Sequence, residues 1–109
     1  MASAGEDLRR QSSEADRLAV EVGSVAAQLA ALEGMFARVS AEVERLVGGS
    51  ASAEDRRMRG ILASAASTQR TAADHCRSAA ETSRAIARSL EARAAEADRE
   101  EARNAQWSR

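Results

Sequence analysis

Residues 46–55 read Leu46-Val47-Gly48-Gly49-Ser50-Ala51-Ser52-Ala53-Glu54-Asp55. This stretch decides the fold. It holds the only Gly-Gly pair in a chain of 109 residues that has no proline. Gly48 stands where a helix ends on a left-handed C′ residue, a conformation that glycine adopts without a Cβ clash. Ser52, followed three positions later by Asp55, is placed to cap a new helix, and Glu54 and Asp55 suit the positive end of its dipole. The stretch therefore predicts one helix ending near residue 47, a turn over 48–52, and a second helix starting near residue 53.

Upstream, apolar residues alternate at three- and four-residue spacing, the mark of a left-handed coiled coil. Leu8, Ala15, Val22, Leu29, Phe36 and Val43 form one series, and Gln11, Leu18, Val25, Leu32, Val39 and Leu46 the other. Ser3 with Glu6 forms a capping pair, so the first helix is expected over about 4–47. Downstream, a second seam runs through Met58, Leu62, Ala65, Gln69, Ala72, Cys76, Ala79, Ser83, Ile86 and Leu90. It predicts a helix over about 53–105, with a charged C-terminal end that overhangs its partner and carries Trp107.

Folding at the Gly-Gly turn brings position i opposite about position 101 minus i. Phe36 then faces Ala65, Leu29 faces Ala72 and Val22 faces Ala79, so large residues meet small ones. Leu32 faces Gln69 and Leu18 faces Ser83, which makes the seam incompletely dry. Charge agrees with this pairing. Residues 1–47 hold 8 acidic and 5 basic groups, and residues 53–90 hold 4 acidic and 7 basic groups. The expected fold is all-α: a single antiparallel two-helix coiled-coil hairpin over 1–109, assembling into a four-helix bundle. A short hinge also admits pairing of the two helices between chains.

Composition narrows the function classes. All 16 basic residues are Arg and the net charge is −1, so no overall pull toward nucleic acid or membrane is expected. The lone Cys76 has no intramolecular disulfide partner. The acidic start of the chain lacks the apolar core of a signal peptide, and no uninterrupted apolar run reaches the ~18 residues of a membrane span. The single His75 is adjacent to Cys76, about 100° away on a helix, which is poor geometry for a nucleophile and its base. No glycine-rich phosphate loop is present. Neither an enzyme nor a cofactor is expected, and no catalytic, cofactor-binding or metal-binding residue is assigned.

Two surfaces of the sequence are candidates for a partner. Val20, Gly23, Ala27, Ala30, Gly34, Ala37 and Ala41 form a second stripe on helix 1. Its two glycines each cost ~1 kcal/mol against alanine in a helix interior, which suggests a close helix neighbour. Arg70, Arg77 and Arg84 recur at seven-residue intervals on helix 2. They form either a solvated coiled-coil flank or a stripe for an acidic surface or nucleic-acid backbone, and the charge balance and scarcity of aromatics argue against nucleic acid. Trp107 is a candidate anchor, since Trp is enriched in binding hot spots.

In length, helicity and central fold-back the chain resembles the WxG-type small helical-hairpin proteins of type VII (ESX) secretion. Leu46-Val47-Gly48 stands at the place of the W-x-G turn, so the glycine matches and the tryptophan does not. That resemblance implies an antiparallel four-helix bundle with a similar hairpin, as homodimer or heterodimer, and a role as partner or substrate of a secretion system. The family's C-terminal Y-x-x-x-D/E signal has no counterpart, because the chain contains no Tyr. The expected function is thus non-enzymatic helix–helix interaction in a cytoplasmic protein, exported without a classical signal peptide if the resemblance extends that far. The alternative is a cytoplasmic coiled-coil adaptor or assembly subunit.

Overall fold

A computed structural model of the protein describes residues 3–49 and 52–107. It contains two helices, α1 (Ala4–Val47) and α2 (Ala53–Trp107), which pack against each other, with no strand among the described residues. Both starts are capped as the sequence dictates. Ser3 Oγ accepts the Glu6 N–H at 3.1 Å, and Ser52 Oγ accepts the Asp55 N–H at 3.0 Å. Each bond satisfies one of the four amide donors that a helix start leaves without an internal partner.

The end of α1 departs from expectation. No described residue has a positive φ, glycines included, so Gly48 is not a left-handed cap. Its N–H instead donates to the Glu44 carbonyl at 2.7 Å, continuing the α-helical pattern by one peptide. Glycine is still required there, since a Cβ would collide with that same carbonyl oxygen. Gly48 and Gly49 form a turn; Ser50 and Ala51, which complete the expected 48–52 connection, lie outside the described residues.

Internal contacts fall into two units, Met1–Val22 with Ser78–Arg109, and Gly23–Arg77. Within each, the two helices run antiparallel. In the first unit Ser12 bonds the backbone of Ala87 and Ser83 that of Ala15, pairs whose numbers sum to 99 and 98. In the second unit Arg70 meets Glu33 and Arg59 meets Glu44, both summing to 103. The register expected from the turn, with sums near 101, therefore holds in each unit.

The fully buried part of the seam is made of small residues, with larger ones half-buried at d. Ala19, Ala26, Ala73, Ala80, Ala87 and Ala94 are the buried apolar side chains, joined by Ser12 and Ser83. On α1 the protected positions follow Gly5, Leu8, Ser12, Ala15, Ala19, Val22, Ala26 and Leu29, continuing through Glu33, Phe36, Ser40, Val43 and Val47. Calling the Ser12–Ala19–Ala26 series a and the Leu8–Ala15–Val22 series d gives a regular heptad. On α2, Arg59, Ala66, Ala73, Ala80, Ala87 and Ala94 are a, and Leu62, Gln69, Cys76, Ser83 and Leu90 are d.

One series on each helix is therefore shifted by one residue from expectation. Leu18, Val25, Leu32 and Val39 are not seam residues but lie exposed at g, immediately before a, as does Leu46. On α2, Ile86 and Ala79 are likewise exposed, and Ala65 and Ala72 are half-buried at the g edge. The other expected seam residues, Val22, Leu29, Phe36 and Leu62, do occupy d positions and are half-buried. The physical reason lies in the serines. A serine side chain is one carbon long, so a 3.0 Å bond from Ser12 Oγ to a carbonyl of the other helix requires closely approached backbones. Alanine and serine permit that approach, and leucine and valine in the same place would hold the helices apart.

Candidate interaction surface

The heptad gives the hairpin two unlike flanks. In an antiparallel pair the g positions of both helices lie on one side of the seam and the e positions on the other. The e side is charged and internally paired. In the first unit Arg9 donates to Asp98 at 2.5 Å, both residues at e. In the second, Arg70 at e donates to Glu33 at 2.7 Å, and Arg59 approaches Glu44 at 3.3 Å. The hydrogen bond from each arginine to its carboxylate, with the attraction between the charges, raises the pKa of Arg9 and of Arg70 above the ordinary guanidinium value.

The g side is apolar in the unit Gly23–Arg77 and mixed in the other, where it also holds Gln11, Arg93 and Glu100. In the unit Gly23–Arg77 it carries Val25, Leu32, Val39 and Leu46 from α1, and Met58, Ala65 and Ala72 from α2. Met35 and Ile61 extend it outward from the adjoining positions. In the other unit it carries Leu18, which is 53% exposed, and Ile86, which is 50% exposed. The large apolar side chains of the hairpin thus lie mostly outside its seam. Within the unit Gly23–Arg77, apolar side chains gathered on one flank exceed the scattered single ones of an ordinary exterior.

The stripe singled out on helix 1 lies elsewhere. Val20, Ala27, Gly34 and Ala41 occupy b positions, and Gly23, Ala30 and Ala37 occupy e, so the stripe faces toward the charged flank. Val20, Ala27, Ala37 and Ala41 are exposed. A Cβ on Gly34 would meet nothing nearer than Arg38 Nη1 at 4.0 Å, so no close neighbour within the hairpin accounts for that glycine. The arginine stripe is largely engaged. Arg70 pairs with Glu33 across the seam and Arg77 with Asp74 on its own helix, while Arg84 is exposed. Two neutralised members of three make a weak anion track.

Trp107 closes α2 and is 87% exposed. Before it, Glu96 accepts from Arg99 at 2.8 Å and from Arg103 at 3.3 Å. Those bonds, Arg99 first, hold the Glu96 carboxyl below the usual carboxylate range. A shallow notch at the same end is lined by Ser3, Ala4 and Gly5 together with Glu100 and Glu101. The start of α1 there already has carboxylates beside its positive dipole end.

His75 is exposed and Cys76 half-buried in the seam. Among the described residues no group of three or more His, Cys, Asp or Glu side chains is placed to hold a metal ion. Gln69 buries its Oε1 in the seam without a hydrogen-bond partner. One feature of α1 differs from expectation: although no uninterrupted apolar run is present, the helix contains an 18-residue stretch apolar enough, by length and composition, to cross a membrane. The core helix of a soluble protein passes the same test when it is mostly buried. This stretch is mostly exposed in the hairpin.

No protein-family model, no characterised protein and no solved structure matches the chain.

Proposed function

We propose that this protein is a non-enzymatic helix–helix interaction module whose partner is another helical hairpin, and that it serves as a WxG-like partner or substrate of a type VII secretion system. One observation carries the interaction reading: the hairpin buries alanine and serine in its own seam and turns Leu18, Val25, Leu32, Val39 and Leu46 outward. A pair of helices that had only itself to stabilise would bury the leucines, at about 25 cal/mol per Å² of apolar area. The secretion reading is supported by the two-helix architecture and by the break directly after Leu46-Val47-Gly48. The lack of Tyr in the chain favours a second reading, a cytoplasmic adaptor or assembly subunit using the same flank.

Sedimentation equilibrium of the purified chain, alone and with the hairpin encoded nearest to it, tests the interaction reading. Association in either sample is expected, and a monomer in both rejects it. Immunoblotting of culture medium with and without the secretion ATPase then separates the two contexts. ATPase-dependent appearance supports type VII export, whereas retention in the cell in both strains supports the adaptor.

A further inference from the structure

The two serine bonds show how the heptads meet. Ser12 reaches Ala87, so a faces a, and Ser83 reaches Ala15, so d faces d. In the unit Gly23–Arg77 the same pattern sets Ala26 opposite Ala73, Glu33 opposite Ala66 and Ser40 opposite Arg59 along the a row. Two of these seam residues are ions, and Glu33 and Arg59 keep only 26% and 27% of their side chains exposed. Charges in such places lose hydration. Their partners Arg70 and Glu44 are mostly exposed, and ion pairs of that kind add little.

The g row lies on the other side of d. Turning each helix by about 50°, in opposite senses, exchanges a for g and keeps d in the seam. Leu32 then stands opposite Ala65, Val25 opposite Ala72 and Val39 opposite Met58. Large residues meet small ones, the apolar content of the seam rises, and Glu33 and Arg59 pass to solvent. Gln69 stays at d either way, so its unpartnered Oε1 does not choose between the two. The unit Met1–Val22 with Ser78–Arg109 has no such alternative. There the same turn would bring Gln11 and Arg93 into the seam and take Ser12 away from the carbonyl it bonds. We propose that Gly23–Arg77 holds two seam registers: the observed one, which bares Val25, Leu32 and Val39, and a second, which sheathes them within the hairpin. A helix partner that binds only the bared flank draws the unit to the observed register, as any ligand shifts an equilibrium toward the state it prefers. That release step alone rests on the helix–helix reading above.

Disulfide trapping in a Cys76→Ser chain reads the register, since a disulfide closes only with its Cα atoms about 4.4–6.8 Å apart. Ala26→Cys with Ala73→Cys reports the observed register, and Leu32→Cys with Ala65→Cys the second. At about 1 µM chain, both pairs are expected to close within one molecule, at rates within about tenfold of each other. Position 39 is exposed in the observed register and lies in the second seam. Val39→Glu should therefore slow the Leu32/Ala65 pair at least about tenfold and leave the Ala26/Ala73 pair unchanged. In the other unit Ala19→Cys with Ala80→Cys should close, and Leu18→Cys with Ala79→Cys should not. Where circular dichroism shows that a pair prevents folding, alkylation of a single Leu32→Cys serves. Val39→Glu should then raise its rate about twofold, as half the population ceases to hide it. Closure of the Ala26/Ala73 pair alone overturns the proposal. So does a Leu32/Ala65 pair that ignores Val39→Glu or closes only between chains on a non-reducing gel, an alkylation rate that Val39→Glu leaves unchanged, or closure of Leu18/Ala79 as fast as Ala19/Ala80. A chain that shows both registers yet sediments as a monomer in every mixture keeps the two registers and rejects the helix–helix reading.

Discussion

Ser12 Oγ donates to the backbone carbonyl of Ala87 at 3.0 Å, from one helix to the other, and Ser83 Oγ returns the bond to the Ala15 carbonyl at 2.7 Å. Ser12 is the largest fully buried side chain among the described residues. These reciprocal bonds fix how near α1 and α2 lie in the unit that contains them. Removing one should cost little, because the accepting carbonyl keeps its place in its own helix. Ser12→Ala is expected to destabilise by about 0.5–1.5 kcal/mol. Ser12→Val, which adds bulk where the backbones meet, should cost about 1–3 kcal/mol. Urea unfolding at a fixed protein concentration checks both, and Val proving milder than Ala would contradict the close approach.

Ala79 and Ala80 separate the two seam registers directly. Ala80 is 2% exposed and Ala79 is exposed. Ala80→Leu should therefore lose about 1–3 kcal/mol through overpacking, while Ala79→Leu should stay within about 0.5 kcal/mol of the wild type. The reverse order in thermal unfolding would restore the seam expected from side-chain size alone.

Gly34 has open space where a Cβ would stand and sits in the interior of α1. Gly34→Ala is expected to stabilise the protein by about 0.5–1 kcal/mol, by removing chain entropy from the unfolded state and adding a better helix former. Chemical denaturation reads this, and destabilisation would mean that another backbone approaches the glycine after all.

Glu96 gives the C-terminal part of α2 a dependence on pH. Its carboxyl is held below the ordinary value by Arg99 and then Arg103. A lowered folded-state pKa means that the contribution is complete above the unfolded value and is lost as pH falls through the folded one. Local order around Glu96 to Arg103 should thus decline only at acidity below the usual carboxylate range. Carbon-detected NMR titration of the Glu96 side chain follows it directly. A midpoint at or above the ordinary glutamate value would show that the two arginines do not hold the carboxylate in solution.

Much of this architecture is legible in the residues themselves. Ser3 and Ser52 announce the helix starts, Gly48-Gly49 the break, and the three-four spacing the length of each helix between them. Distance from the turn sets the antiparallel register, because counting outward from a short connection leaves almost no freedom. The candidate surface was far less legible. Leu18, Val25, Leu32 and Val39 look like core when ranked by hydrophobicity, and their exposure became visible only once both helices were placed.

The division has a physical cause. The sequence by itself determined two capped helices, their ends and their pairing, since caps, glycines and periodicity act within a few residues of one another. It also marked two apolar series on α1, at d and g, that make a coiled-coil seam by spacing, but not the small series at a, which makes one with d equally well. Only the tertiary structure decided between them. The choice depends on how closely two backbones approach, and that is a property of both helices together. Ser12 and alanines at a on α1, with alanines at a and Ser83 at d on α2, allow the close approach that the two serine bonds record, and the leucines and valines at g are left facing outward.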